Sequence, residues 1–431
     1  MALPLPSKSD ATPQTLFQAL QQCRQGTLAL VDGLGEIPLR QQAHPDFSPI
    51  GWHLGHIAFT ESLWIVEHLA QQPCPFPQYR KLFAADGLPK AERQNLPGLE
   101  EIQTFLAAVR HRVEAYLADA PVEKQLRLWR WLLQHESQHG ETITLIMALH
   151  QIQGQTVPLR PPKVVQHRQV PTGGMVHVPA GEFWLGDDSL EAIDNERPGH
   201  VIDLDDFWID RLPVTCRQYR HFIEAGGYHN AQWWSPQGWR WQQAADVQQP
   251  LYWSEDGAFE HHPVSGVSWY EADAYARFVG KRLPTETEWE KAAAWHPDQG
   301  KQRYPWGHEW PTIQHCNHNH HIGYTTPVGA FDQNISPVGC YDLLGNVWEW
   351  TDSWFDGYSG FDAFPYRGYS QVYFDRAHRV LRGGSWASRP WALRNSFRNW
   401  YHPHVRELFM GFRCAQSVNP SLLRIQSLTE S

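Results

Sequence analysis

The segment His135-Glu136-Ser137-Gln138-His139 sets two imidazoles at i and i+4. Those positions share one helix face, so both rings can reach a single ion. The string also reads HExxH, the zinc-protease pattern in which Glu136 would be the base. Its continuation, Gly140-Glu141-Thr142-Ile143-Thr144, holds no third histidine, and the next acidic residue after Glu141 is Glu182, beyond a proline-rich stretch. The protease pattern is therefore incomplete. A third ligand must come from another helix, and Gly51-Trp52-His53-Leu54-Gly55-His56-Ile57 offers His53 and His56, one turn apart. Imidazole ligands suit iron, zinc or copper alike. Three neutral rings leave a divalent ion its full charge and open positions for substrates. A closed ligand set would instead mean a non-catalytic, zinc-holding binding module.

Helical spacing of apolar residues runs through Leu16–Leu30, Ile57–Val66, Ile102–Leu117 and Val122–Leu149. Four amphipathic helices predict a four-helix bundle over 1–154, which would carry both histidine segments. Pro158, Pro161, Pro162 and Pro171 mark 155–172 as an extended linker. From about 173 the texture changes to short apolar pieces among Gly, Pro, Asn and Asp. Helices are expected at Arg217–Ala225, Trp269–Val279 and Glu286–Ala294. The fold class is α+β, with an irregular second domain over 173–416 held by aromatic packing and a polar tail over 417–431.

Composition narrows the function. The 431 residues carry 36 Lys+Arg against 46 Asp+Glu, a net charge of −10, which disfavours nucleic acid and anionic membranes as partners. The 42% hydrophobic and 19% charged fractions describe a folded chain. Six scattered cysteines without a CxxC pair argue against a disulfide framework or a cysteine zinc site. No signal peptide and no run of 18 apolar residues is visible, so the expectation is a reduced, cytoplasmic protein. The 24 His and 22 Trp point to metal ligation and to aromatic surfaces that can hold a cation.

The second half carries an ordered motif series: Val178-Pro179-Ala180-Gly181-Glu182-Phe183, His262-Pro263-Val264, Arg282-Leu283-Pro284-Thr285-Glu286-Thr287-Glu288-Trp289-Glu290, Gly345-Asn346-Val347-Trp348-Glu349-Trp350, Leu381-Arg382-Gly383-Gly384-Ser385-Trp386 and Gly411-Phe412-Arg413. It resembles the formylglycine-generating-enzyme (sulfatase-modifying factor, C-type-lectin-like) fold. That family's two catalytic cysteines would fall at Ser388 and Leu393, so formylglycine chemistry is not expected here. With Trp52-His53-Leu54-Gly55-His56-Ile57 and His135-Glu136-Ser137-Gln138-His139 on a DinB-like bundle, nearly the whole chain resembles the EgtB-type sulfoxide synthases of ergothioneine biosynthesis.

The resemblance implies non-haem Fe(2+) held by His56, His135 and His139, leaving His53 a structural role. It implies hercynine (Nα-trimethylhistidine), O2 and a thiol as substrates, joined as a sulfoxide at the imidazole C2. Gln138 matches the residue that binds the substrate imidazole. Asn399 and Trp400, within Arg398-Asn399-Trp400-Tyr401-His402-Pro403, match the betaine pocket, and aromatic faces are what can recognise a trimethylammonium. Tyr366 is the nearest match to a catalytic proton donor, with Tyr369 and Tyr401 as rivals. Two positions depart from the γ-glutamylcysteine branch. Pro89-Lys90-Ala91-Glu92-Arg93 offers Lys90 and Arg93 where that branch has two arginines, and Tyr401 replaces an acid. Lys grips a carboxylate as a point charge instead of a fork. A cysteine-type thiol is therefore expected, with the selenosugar of a selenoneine synthase as the alternative donor. The acidic and Asn-rich loops of the second domain are candidates for Ca(2+).

Overall fold

The computed structural model describes residues 11–159, 163, 165 and 173–418, and most of the expected linker and tail lies outside these. Two compact units form. The first gathers the helical residues up to 159 together with Ser388–Ala392, and the second gathers the remaining described residues.

In the first unit, α1 spans Pro13–Leu30 and begins where the Thr12 side chain accepts a hydrogen bond from the Thr15 amide. Leu16, Ala19, Leu20, Cys23 and Thr27 line its buried face. The short α2 (Glu36–Arg40) leads to α3 (Ile50–Glu61), all twelve residues of which are buried, and a π-helical stretch, Ser62–Leu69, continues it. After α4 (Arg80–Phe83), α5 (Leu99–Leu117) buries Ile102, Phe105, Leu106, Val109, Val113 and Leu117 at helical spacing. The 31-residue α6 (Val122–Ile152) packs on α1 and α3, and α3 packs on α5. None of these helices is long and apolar enough to cross a membrane.

A buried ion network ties the four long helices together. Arg24 of α1 donates to Glu61 of α3 (2.8 Å) and, through Nε, to Glu136 of α6 (2.9 Å). Arg110 of α5 donates to Glu61 (2.7 Å) and lies 3.6 Å from Glu136. Breaking such a buried set costs about 3–5 kcal/mol, because the partner charge is stranded. One charge from each helix therefore fixes the rotation of α6.

The second unit is mixed helix and sheet. Strands β1 (Met175–Val178), β2 (Gly181–Leu185), β3 (His200–Leu204) and β4 (Phe207–Asp210) are followed by α7 (Cys216–Glu224), α8 (Pro236–Ala245), α9 (Trp269–Phe278) and α10 (Glu286–Ala294). Then come β5 (Trp295–His296), β6 (Gly300–Lys301), β7 (Trp348–Trp354), β8 (Arg379–Arg382), β9 (Asn399–Tyr401), β10 (Met410–Gly411) and β11 (Ala415–Ser417). They form a three-stranded sheet, β1-β4-β11, a four-stranded sheet, β10-β7-β8-β9, and two strand pairs, β2-β3 and β5-β6. Helix α8 was not expected: its Pro-Gln-Gly-Trp-Arg-Trp-Gln-Gln sequence has almost no apolar period, and Ser235 starts it by accepting from the Gly238 amide.

The motif series in this unit is mostly framework. Trp289 is buried against Val178, Phe207, Ile209, Leu343 and Leu344. Its indole N–H donates to Glu349 (2.8 Å), which also takes both sides of the Arg413 guanidinium. Glu286 receives Arg398, Glu290 receives Arg382, and Glu196 receives Arg394, all buried. Aromatic packing is thus accompanied by a set of buried Arg–Glu pairs, bidentate for Arg394–Glu196, Arg398–Glu286 and Arg413–Glu349.

Candidate metal centre and substrate residues

The packing of α3 against α6 brings His56, His135 and His139 together, with one nitrogen from each within 4.8 Å of the others. Among the described residues, this is the only group of three His, Cys, Asp or Glu side chains close enough to share an ion. The His135 and His139 Nε2 atoms are 3.2 Å apart, as the i, i+4 spacing predicts.

Each ring is held from outside. His56 Nδ1 donates to the Phe83 carbonyl (2.7 Å), which leaves Nε2 unprotonated. The His56 ring also stacks on Trp52 at 4.6 Å and 11°. His135 stacks on Trp131 at 5.0 Å. His139 Nδ1 meets His53 Nδ1 at 2.8 Å.

Electrostatics keep the rings neutral. Burial pushes His56 down to about 4, against the opposing pull of the Phe83 carbonyl. Burial and then the neighbouring imidazoles hold His135 and His139 well below the usual histidine range. Neutral imidazole is the ligating form. His56 and His135 are buried while His139 is half-exposed, so the cluster has an open side. Three neutral imidazoles with an open side fit a catalytic divalent metal better than a closed structural one.

Glu136 points into the ion network, which removes it as a base. Its carboxylate accepts from Arg24 and from the Thr27 hydroxyl (2.8 Å). Burial would raise its pKa, but Arg24 and then Arg110 hold it down to about 2. The HExxH string therefore places two imidazoles that could share a metal ion on either side of a structural acid.

The structure distributes the other expected site residues unevenly. Gln138 is half-buried beside His139 on α6. Lys90 is exposed and donates to the Asp46 carbonyl (2.7 Å). Arg93 is buried, donates to the Leu88 carbonyl, the Ser48 hydroxyl and the Ala85 carbonyl, and lies over the Trp52 ring at 4.1 Å. Its guanidinium is thus already engaged, and it sits one indole away from His56. Trp52 and Phe83 are the supports that sequence reasoning missed; the only signal was the Trp preceding the histidines.

In the second unit, Asn399, Trp400 and Tyr401 form β9, an edge strand paired with β8. Successive strand residues face opposite ways, so Trp400 faces away from Asn399 and Tyr401. Trp400 stacks on Phe355 at 4.2 Å and 7°, with Tyr373 at 5.5 Å and Tyr369 edge-on at 6.3 Å. Tyr366 is half-buried, and its backbone carbonyl accepts from the Tyr369 amide.

Two family models match: the DinB superfamily over residues 19–143 and the sulfatase-modifying factor enzyme 1-like domain over 161–418. The hercynine oxygenase of Mycolicibacterium smegmatis is 38% identical over 427 residues, covering 94% of this chain and 99% of the relative. That of Mycolicibacterium thermoresistibile is 39% identical over 431 residues, covering 95% and 96%. The chain belongs to the hercynine oxygenase family. It is therefore an enzyme, and the non-catalytic zinc module is set aside. The formylglycine-generating enzyme of Thermomonospora curvata is 36% identical over 222 residues, 42% of this chain and 71% of that enzyme. In this hercynine oxygenase family member, however, Ser388 donates to Glu141 of α6 (2.7 Å) and Leu393 is buried. A hydroxyl spent on an anchor and an isobutyl group cannot supply paired thiolates.

Proposed function

We propose that the protein is an iron(II)- and O2-dependent sulfoxide synthase acting on hercynine and a cysteine-type thiol. The reaction balances as hercynine C2–H plus thiol S–H plus O2, giving the C2–S(=O) sulfoxide and water. The C–H and S–H bonds break, the C–S and S=O bonds form, and O2 takes up four electrons. The observation that carries the reading is the trio of neutral, inward-facing imidazoles on α3 and α6, in a chain that aligns over almost its full length with named hercynine oxygenases. Relatives so named do not favour the selenosugar donor.

His56, His135 and His139 hold the metal in this reading. Ferrous iron, when bound, supplies the one-electron chemistry that O2 needs. Gln138 holds the substrate imidazole by its amide. Trp400, with Phe355, Tyr369 and Tyr373 about it, suits a trimethylammonium, which offers no hydrogen-bond donor and is held by π faces. Asn399 and Tyr401 serve the other face of the strand. Tyr366 is the proton donor of this scheme, its phenol giving a proton to reduced oxygen. Lys90 attracts the thiol substrate's carboxylate as a point charge. With Tyr401 where an acid would meet a γ-glutamyl ammonium, the smaller donor cysteine is preferred.

The test is O2 uptake by Fe(II)-loaded protein with hercynine and, separately, cysteine or γ-glutamylcysteine. Hercynine-dependent uptake with cysteine as the better donor is expected. Absence of uptake with any thiol would overturn the reading.

A further inference from the structure

His53 lies one turn before His56 on α3, is 7% exposed, and has no place in the chemistry described above. Its Nδ1 sits 2.8 Å from the Nδ1 of His139, a hydrogen-bond distance. A neutral imidazole carries one N–H, so one of the two rings must donate and the other accept. If His53 donated, His139 would keep its own proton on Nε2, only 3.2 Å from the Nε2 of His135, and could not ligate through that atom. If His139 donates, its Nε2 is bare and faces the other ligands.

We propose that His53 is a positioning residue for the metal centre: it accepts the Nδ1–H of His139 and so fixes that ring in the ligating tautomer and orientation. The inference rests on reading the triad as a metal site. His53 then carries its proton on Nε2, and this atom is buried without a hydrogen-bond partner. The Ser48 carbonyl acts on the ring but closes no bond to Nε2. An orphaned buried donor is destabilising, because its lost hydration is not replaced. A histidine placed only for packing would be better replaced by an apolar ring, whereas this one satisfies the single nitrogen that faces a ligand. His53 does for His139 what the Phe83 carbonyl does for His56. One helix therefore supplies both a ligand and the support of a ligand on its neighbour, as outer-shell partners of metal-bound histidines do.

The test uses the full chain. In zinc-loaded wild type with nitrogen-15 histidine, a scalar coupling is expected across the hydrogen bond between the His139 and His53 Nδ1 atoms, with the proton on His139. By chelator competition, His53→Phe should bind Fe(II) about 10- to 100-fold more weakly. His53→Asn, whose amide oxygen can accept the same proton, should recover most of that loss. Absent coupling, a proton resident on His53, or His53 itself bonded to zinc would overturn the inference, as would wild-type affinity in His53→Phe. Should His53→Phe not fold, the coupling measurement on wild type decides alone. Wild type that binds neither metal would overturn the underlying metal-site reading, which is a different failure from a change confined to the variants.

Discussion

The Nδ1 of His56 lies 2.7 Å from the carbonyl of Phe83, and Phe83 reaches that place only because residue 55 is glycine. A Cβ on Gly55 would fall 2.1 Å from Phe83 Cε1, so no side chain fits between α3 and α4 there. Gly55→Ala must displace Phe83 and with it the acceptor that sets the His56 tautomer. The expected cost is about 1–3 kcal/mol of stability, the usual range for overpacking, together with weaker iron binding. Urea unfolding and chelator competition on the same preparation would check both.

Glu136→Gln separates the two roles the HExxH string suggests. A base would lose turnover by orders of magnitude. An ion-network member instead strands Arg24 and destabilises the bundle by about 3–5 kcal/mol, while the folded fraction keeps hercynine-dependent activity within a few-fold. Denaturant titration beside steady-state O2 uptake distinguishes these outcomes.

The metal-free protein should lose stability on acidification. Burial holds His56 down to about 4 and His53 down to about 3, against 6.5 for the free side chain. Between those values the unfolded chain binds more protons than the folded one, so stability rises with pH. It is fully present above about pH 7 and falls as pH drops through 6.5 towards 4, by up to ~3 kcal/mol from His56 alone. Glu136, held near 2 against 4.5, adds a loss of the same sign below pH 4.5. Urea midpoints of the metal-free protein at several pH values test this, and a flat profile would contradict it.

Gly140 offers a test by sign. Alanine in a helix interior normally stabilises by about 1 kcal/mol relative to glycine. Here the new Cβ would lie 2.9 Å from the Arg389 guanidinium, which is pinned by donating to the Cys23 carbonyl at 2.9 Å. Gly140→Ala should therefore destabilise the wild type and stabilise an Arg389→Ala background. A double-mutant cycle measuring no coupling would remove this contact from the account.

Much of the imidazole cluster was legible in the sequence because i, i+4 spacing on a helix is a purely local relationship. His135 and His139 needed nothing else. The choice between His53 and His56 was not local: it depends on which ring the Phe83 carbonyl and the facing α6 imidazoles engage, and those contacts are remote in the chain. Glu136 looked like a base because a string does not show which face a side chain takes, and four helices decide that here. Arg93 matched a carboxylate-binding arginine in the sequence, and the structure surrounds its guanidinium with Ser48, Ala85, Leu88 and Trp52. The alternation of Asn399 and Trp400 could have been foreseen from an expected strand, but a three-residue strand carries too little periodicity to declare itself. The return of Ser388–Ala392 to the helical unit is also invisible to a linear reading.

Iron content after anaerobic Fe(II) loading, compared between wild type and His56→Ala, His135→Ala and His139→Ala, decides whether these three imidazoles hold the metal. One tightly held iron per chain is expected in wild type and its loss in each variant, with the helical circular dichroism signal retained. Stoichiometric iron persisting in the folded variants would place the metal elsewhere and contradict this assignment.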